Sequence, residues 1–575
     1  MNILPDRPAA AVTLFVTLGV LVHVVPLWNT PNPDVVTAYR YWAADPTPEF
    51  MAAVPHAWRD VGAVPLHPVR GFFDYWYPAT GRFDIGAFVY FWGMARLVGD
   101  APDAWRFVAT LCASTALALI YLLARRLGVQ SVVAFGLSAA LILSPLGWER
   151  AIESELRAML LMAAALYATV VARRPAAHWF AAAAIVGAIL NKETFVSAWV
   201  VVGALALWRE SAGGRLSRSA LLRSLLPHAV GALLLGAFVL GVWSWLPARA
   251  SYAFEAAGQG RLPVAPFLRS FFSNVLPPPL QVPLGQVALP WGMYADSPIT
   301  IPAAIVAAAG LMAAALAARG GDVRRALADP RTAAVVGGLV GGLLLHATIY
   351  YLTNREVRGY YQTPANVYMA LLLGVLATPL WRSVAPALTD AAAPSVRRIG
   401  TAVAAAVALA LAVPGLHQSL RDSGLHRLEM RTWRSLSDRV ARETPVGAHV
   451  VIWMSSASGG EGAALIQEML LRRRYDLVFH FGPLPDAACD RAPDACAQYD
   501  AFNEGQAALP SPGHGSAPVV DVHVLKTGTP SGVAPLPAAW SDRLRLLVSA
   551  PREFLDRAYL GGRMSDLSVQ VTRRT

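Results

Sequence analysis

A chain of 575 residues that is 55% hydrophobic and only 15% charged, with a mean hydropathy of +0.44, is too apolar for a soluble globular protein of this size. Its net charge of +11 raises the question of nucleic acid, but the cations are arginines in short clusters beside apolar runs, as cytoplasmic membrane anchors are. Composition and charge therefore exclude a soluble enzyme and a nucleic-acid partner, and leave a multispan membrane protein.

In chain order, apolar runs long enough to be read as spans cover 11–28, 105–124, 131–146, 156–172, 176–190, 194–208, 225–246, 300–318, 332–352, 361–380 and 399–416. The first run follows only Arg7 and has no small-residue cleavage site after it, so it reads as a retained span. With these eleven spans, every arginine-rich connection falls on one side: Arg125/Arg126, Arg173/Arg174, Arg209 to Arg223, Arg319 to Arg331 and Arg382 to Arg398. The positive-inside rule makes that side cytoplasmic, with the N-terminus inside and the C-terminal region outside.

The stretch 176–208 is interrupted only by His178 and by Asn191-Lys192-Glu193. As one helix it would be roughly 50 Å long, against a hydrocarbon core of roughly 30 Å, so a hairpin is expected with Lys192 at a sunken outer tip. Lys192 is one of two lysines, with Lys526, in a chain whose other cations are arginine. The run Ile85 to Val98 is short, and counting it as a span would invert every later loop. It is read as a helix at the outer interface, where Phe88, Tyr90, Phe91 and Trp92 suit the depth.

Ionisable residues gather in the outer connections. The first, 29–104, carries Asp34 in Pro31-Asn32-Pro33-Asp34 and the aromatics Tyr75-Trp76-Tyr77-Pro78; the second carries Glu149, Glu153 and Glu155 among Arg150 and Arg157. The third is the Lys192 tip, the fourth a proline-rich loop with Pro277-Pro278-Pro279, and the fifth runs Asn354-Arg355-Glu356-Val357-Arg358-Gly359-Tyr360.

This layout resembles the GT-C glycosyltransferases, especially the branch with protein O-mannosyltransferases and lipid A aminoarabinose transferases. The likeness covers 11–416: a first span, an acid soon after it, a long outer loop with an aromatic-proline segment and an interface helix, Arg106 opening the second span, and Arg358-Gly359-Tyr360-Tyr361 with Pro364 late in the domain. It implies an all-α polytopic membrane domain of GT-C type, in the inner (plasma) membrane of a bacterium. It also implies transfer of a sugar from a polyprenyl-phosphate donor to a lipid, glycan or protein acceptor on the outer face. Asp34 matches the acid that serves the acceptor, and Arg358 the arginine that meets the lipid phosphate. Val35 stands where many relatives carry a second acid.

The chemistry has the same requirements without the family. Glycosyl transfer from such a donor needs a base for the acceptor proton and cations for the leaving phosphate. Asp34 is the candidate base, or else a turn residue after two prolines. Lys192, Arg355 and Arg358 are the candidate phosphate partners; Lys192 can instead snorkel and pair with Glu193, and the arginines can pair with Glu356. Glu153 and Glu155 diverge by about 200° in a helix but point the same way in an extended segment. An extended or helix-entry geometry lets both approach one divalent cation, Mg or Mn; the alternative is a solvated loop in which they pair with Arg150 and Arg157. Tyr77 and its neighbours can stack on a sugar or simply anchor the interface, and His346 reads as a satisfied bundle-interior histidine. A transporter or flippase of polyprenyl-linked sugars is the alternative function. It would place its polar groups near mid-bilayer in broken helices, whereas most spans here are uninterrupted.

From 417 to 575 the composition is that of a small α/β domain, expected outside the membrane. Strand-like runs at 449–454, 477–481, 519–525 and 544–548 alternate with a helix-like run at 461–474. Residues 455–462, rich in Ser and Gly, form a strand-to-helix turn, an anion site only if helix N–H groups are presented there. Cys489 and Cys496 are a candidate disulfide in an oxidising compartment.

Overall fold

The computed structural model describes residues 7–30, 83–99, 101–143, 154–171, 174–211, 217–246, 263–275, 328–352, 363–389, 440–454, 476–481, 518–526, 545–549, 558–559, 562–563 and 567–574, with single residues between them, Tyr77 among these. The chain falls into two compact units. The first includes 1–28, 77–90 and 104–422, and the second includes 91–103 and 423–575.

The first unit is helical. Helix α1 (Pro8–Gly19) starts with proline at its first position, where a missing N–H costs nothing, and continues through a π turn and a 3₁₀ turn to Leu27. Helix α2 (Ile85–Val98) is followed by α3 (Pro102–Arg126), α4 (Ser131–Ile142), α5 (Ser154–Val171) and α6 (Pro175–Asn191). After a 3₁₀ turn (Glu193–Ser197) come α7 (Ala198–Glu210), α8 (Arg218–Trp245), α9 (Val264–Val275), α10 (Pro330–Leu352) and α11 (Thr363–Thr389). Five stretches are long and apolar enough to cross a membrane: Pro8–Leu27, Pro102–Arg126, Ser154–Val171, Arg218–Trp245 and Pro330–Leu352. The chain is thus a multi-pass membrane protein. The expected spans 300–318 and 399–416 lie largely or wholly outside the described residues, and α4 is described to Leu143, short of the expected 146.

Small residues let these helices approach closely. A Cβ on Gly19 would overlap the Ser114 hydroxyl of α3, and one on Gly338 of α10 would overlap Ala204 of α7. At the end of the first span, Arg106 Nη1 donates to the Leu27 carbonyl at 2.9 Å, and the side chain is buried. A cation at a helix C-terminus satisfies an orphan carbonyl and opposes the helix dipole. His346 is fully buried against Tyr350 and Phe271, with ring centroids 4.9 and 6.2 Å away, in the bundle interior as expected.

The stretch 176–208 folds as the expected hairpin. Lys192 takes an extended conformation, φ −158° and ψ 116°, which ends α6. The far arm returns to where the near arm began: Arg209 Nη1, at the end of α7, donates to the Thr169 carbonyl of α5 at 3.1 Å. The same atom lies 3.2 Å from His178 Nε2 in the first turn of α6. The turn is broader than a tight tip, because the five residues Glu193–Ser197 form 3₁₀ structure before α7 begins.

In the second unit a five-stranded sheet has the order β2-β1-β3-β7-β4, with β1 (His449–Met454), β2 (Val478–Phe481), β3 (Val519–Lys526), β4 (Arg545–Ser549) and β7 (Leu567–Arg574). β1 pairs in parallel with β2 and β3, whereas β7 runs antiparallel to β3 and β4. A separate two-residue ladder joins β5 (Ala558–Tyr559) to β6 (Gly562–Arg563). Four strands lie where the sequence places them; β7 was missed. Gly447, at φ +72°, turns the chain into β1, and its N–H reaches Asp476 Oδ2 at 3.1 Å. Asp476 is clamped in turn by Arg474, Nε to Oδ1 and Nη2 to Oδ2, each at 2.9 Å. The expected helix at 461–474 lies outside the described residues, apart from Arg474.

Candidate active site

Lys192 is brought to Glu155. Its Nζ lies 2.8 Å from Glu155 Oε1, and the two side chains are 5% and 1% exposed. The pair is built by helix packing: α5 and α6 run side by side, which sets the first turn of α5 against the last turn of α6. Breaking α6 at Lys192 frees the ammonium from the helix barrel. The carboxylate is held in turn by the Ser154 hydroxyl, which donates to Oε2 at 3.4 Å.

A second buried cation, Arg157, lies two residues along α5 and reaches Asn191, the residue before Lys192. Arg157 is buried, with its guanidinium over the ring of Tyr90 at 3.6 Å and a long 3.5 Å hydrogen bond from Nε to Asn191 Oδ1. A desolvated cation over a ring face is worth about 2 kcal/mol. Asn191 is fixed from its other end, its Nδ2 donating to the Gly187 carbonyl at 2.9 Å. Tyr90 comes from α2, whose close approach requires glycine: a Cβ at Gly86 would lie 2.8 Å from Asn191 Nδ2 and 3.0 Å from the Leu190 carbonyl oxygen. Tyr90 also meets Trp105 of α3 edge to face, ring centroids 6.2 Å apart.

Below the tip, Ser197 Oγ lies 3.2 Å from the Tyr368 hydroxyl of α11, which also lies 3.5 Å from Met162 Sδ of α5. The tip is therefore tied to α2 through Gly86, to α5 through Glu155 and Arg157, and to α11 through Tyr368. These contacts fix a buried, charge-bearing floor at the end of the bundle opposite Arg209.

Of the residues singled out by sequence, Lys192 and Glu155 are joined directly. Glu155 sits at the entry of α5, in the first turn of a helix that begins at Ser154. Glu153, Asp34, Arg355, Arg358, Cys489 and Cys496 lie outside the described residues. Among the described residues no three His, Cys, Asp or Glu side chains gather to hold a metal ion. Tyr77 is buried, its ring 4.9 Å from Phe83, and that burial pushes its hydroxyl above the usual tyrosine range. Sequence reading missed the roles of Arg157, Tyr90 and Gly86. The available signal was an arginine two residues after Glu155 and a glycine in the first turn of an aromatic helix, neither of which names its partner.

No family model and no curated protein matches the chain. Among solved structures it is similar to ArnT from Cupriavidus metallidurans bound to undecaprenyl phosphate, at 12% identity and a TM-score of 0.43, with 98% of each chain covered. It is also similar to the archaeal oligosaccharyltransferase AglB from Archaeoglobus fulgidus in complex with an inhibitory peptide and a dolichol-phosphate. There the identity is 14% and the TM-score 0.40, over 89% of this chain and 69% of that one.

Proposed function

We propose that this chain is a membrane glycosyltransferase that moves a sugar from a polyprenyl-phosphate donor to a lipid, glycan or protein acceptor, at the membrane face opposite its arginine-rich connections. The observation that carries the reading is the buried Lys192–Glu155 pair at a break between two helices, with buried Arg157 bonded to the neighbouring Asn191. Desolvating two such ions costs several kcal/mol each, and hydrophobic side chains of the same volume are often as stable or more so. A pair kept there against that cost is best understood as serving a charged substrate.

In this reading the acceptor hydroxyl oxygen attacks the anomeric carbon of the donor while Asp34 takes the hydroxyl proton. The bond from the anomeric carbon to the phosphate oxygen breaks, and the electron pair leaves with the polyprenyl phosphate. An ammonium carries three N–H donors, so the phosphate can share Lys192 with Glu155, while Arg355 and Arg358 close on its remaining oxygens. Glu155 keeps Lys192 charged and aimed.

The test is turnover by the purified protein in lipid with a panel of polyprenyl-phosphate sugars. Polyprenyl phosphate should be released, and Asp34→Asn should abolish release without lowering the melting temperature. Full turnover in that variant would remove Asp34 as the base. Movement of the lipid-linked sugar across the bilayer with no glycosidic product would establish the transporter reading instead.

A further inference from the structure

We infer that Arg157 is a positioning residue for the donor phosphate: acting through Asn191, it holds open the helix break that presents Lys192. The assignment rests on the glycosyltransferase reading above and deepens it. The break has no local cause in the sequence. From Ala188 to Val202 the chain carries neither proline nor glycine, the residues that most often interrupt a helix. Yet Lys192 is extended, and helical bonding restarts only where the Phe195 N–H reaches the Lys192 carbonyl at 3.1 Å. A helix that stops without a breaker is stopped by contacts from elsewhere in the fold.

Two such contacts come from the first turn of α5. Glu155 takes Lys192 itself, and Arg157 takes Asn191, the last residue of α6. The Asn191 amide suits this place because a guanidinium only donates and a carbonyl only accepts, so its Oδ1 faces Arg157 and its Nδ2 the Gly187 carbonyl. Asn191 is thereby fixed between its own helix and α5, and Arg157 is fixed in turn by the Tyr90 ring on which its planar guanidinium lies. The two contacts differ in what a donor does to them. An arriving phosphate shares the Lys192 ammonium with Glu155, so that contact loosens as the donor binds. The Arg157–Asn191 contact uses neither group of that pair, and it holds the residue adjoining Lys192 while the ammonium gains its new partner.

The experiment uses the full-length protein in lipid nanodiscs, with bare polyprenyl phosphate as the probe. The variants are Arg157→Met, Arg157→Lys, Asn191→Leu and the double variant Arg157→Met with Asn191→Leu. Two readouts are taken: the melting temperature without ligand, and the affinity of the folded protein for the probe. Arg157→Met and Asn191→Leu should each bind polyprenyl phosphate about tenfold more weakly, the worth of one hydrogen bond to a charged group. The double variant should bind no more weakly than either single one, because two residues that act as a unit are not additive. Arg157→Lys keeps a positive charge but loses the planar fork that serves ring and amide together, so it should bind as weakly as Arg157→Met. Should Arg157→Met fail to fold, the same cycle closes through Arg157→Lys. A loss of about a hundredfold in the double variant, the product of two independent effects, or recovery of affinity in Arg157→Lys, would show that Arg157 acts on the phosphate directly and overturn the assignment. A lower melting temperature with unchanged affinity in both single variants would make the contact purely structural. If the wild type binds no polyprenyl phosphate, the glycosyltransferase reading falls and this assignment falls with it; if it binds and every variant matches it, only this assignment falls.

Discussion

The two ends of the Pro175–Glu210 hairpin carry the same kind of ion pair in opposite settings. At the arginine-rich end, Arg209 and Glu210 are sequence neighbours, 2.7 Å apart and 23% and 13% exposed. Both members have evident structural partners: Arg209 holds the Thr169 carbonyl and His178, and Glu210 takes the Ser224 hydroxyl at 2.9 Å. At the other end Lys192 and Glu155 come from different helices and are almost completely buried. The first pair closes a hairpin and can use water for what its partners do not supply. The second places charge where water is scarce, and structure alone does not require it. Charge at a membrane-helix end is thus not one phenomenon: exposure and the number of anchoring carbonyls distinguish a staple from the pair proposed to act.

The sharpest way to break this contrast is at the tip. Lys192→Met leaves the Glu155 carboxylate buried opposite a methyl group, which should cost about 3–5 kcal/mol of stability. Adding Glu155→Leu should restore the melting temperature while turnover stays at least a hundredfold down. A double variant that regains turnover would make the tip pair another staple. Next in size is Gly86→Ala, whose methyl group must displace Asn191 or the Leu190 backbone; crowding of this kind costs about 1–3 kcal/mol. Turnover should fall further than stability does, because Tyr90 and with it Arg157 move. Unchanged kinetics would show that α2 does not position the site.

At the opposite end, Arg209→Met should lower the melting temperature by the equivalent of about 1–2 kcal/mol, the worth of hydrogen bonds to a charged donor, with turnover per folded molecule unchanged. A selective loss of turnover would erase the distinction between the two ends. The smallest effect belongs to the second unit, where hydrogen bonds from the Arg474 guanidinium hold the Asp476 carboxyl below the usual carboxylate range. A depressed acid contributes stability above its unfolded pKa and loses it as pH falls through the folded value. Asp476→Asn should therefore weaken hydrogen-exchange protection of β1 and β2 at neutral pH, by less than about 1 kcal/mol for so exposed a pair. That difference should vanish in acid below the carboxylate range, and a difference that persists there would remove the ion pair as its cause.

The hairpin was legible because its length is incompatible with a single crossing, and Lys192 because a lysine among arginines at a sunken tip contradicts the anchoring pattern. Its partner was not legible. Glu155 meets Lys192 only after α5 and α6 choose a register, which depends on side-chain packing over their whole lengths. Reading Glu153 and Glu155 together looks along the chain, whereas the pair with Lys192 is made across two helices. Strand β7 carries a plain alternation, Leu567, Val569 and Val571 against Ser568, Gln570 and Thr572, and was missed although the signal was present. The Arg157–Tyr90 contact had no local signal, since it depends on an approach that glycine permits but does not announce.

The break at Lys192 also bears on how a substrate arrives. Helix α6 has 17 residues and α7 has 13, so the arms rise roughly 25 and 20 Å, short of a hydrocarbon layer of roughly 30 Å. A tip at that depth meets a lipid-tailed molecule at the level of its own leaflet. Such a molecule can slide in sideways with its tail still solvated by neighbouring chains, and never has to be extracted into water. For the lipid-linked donor proposed, the search is then two-dimensional, and the concentration that governs it is its mole fraction in the bilayer, not its amount in the surrounding volume.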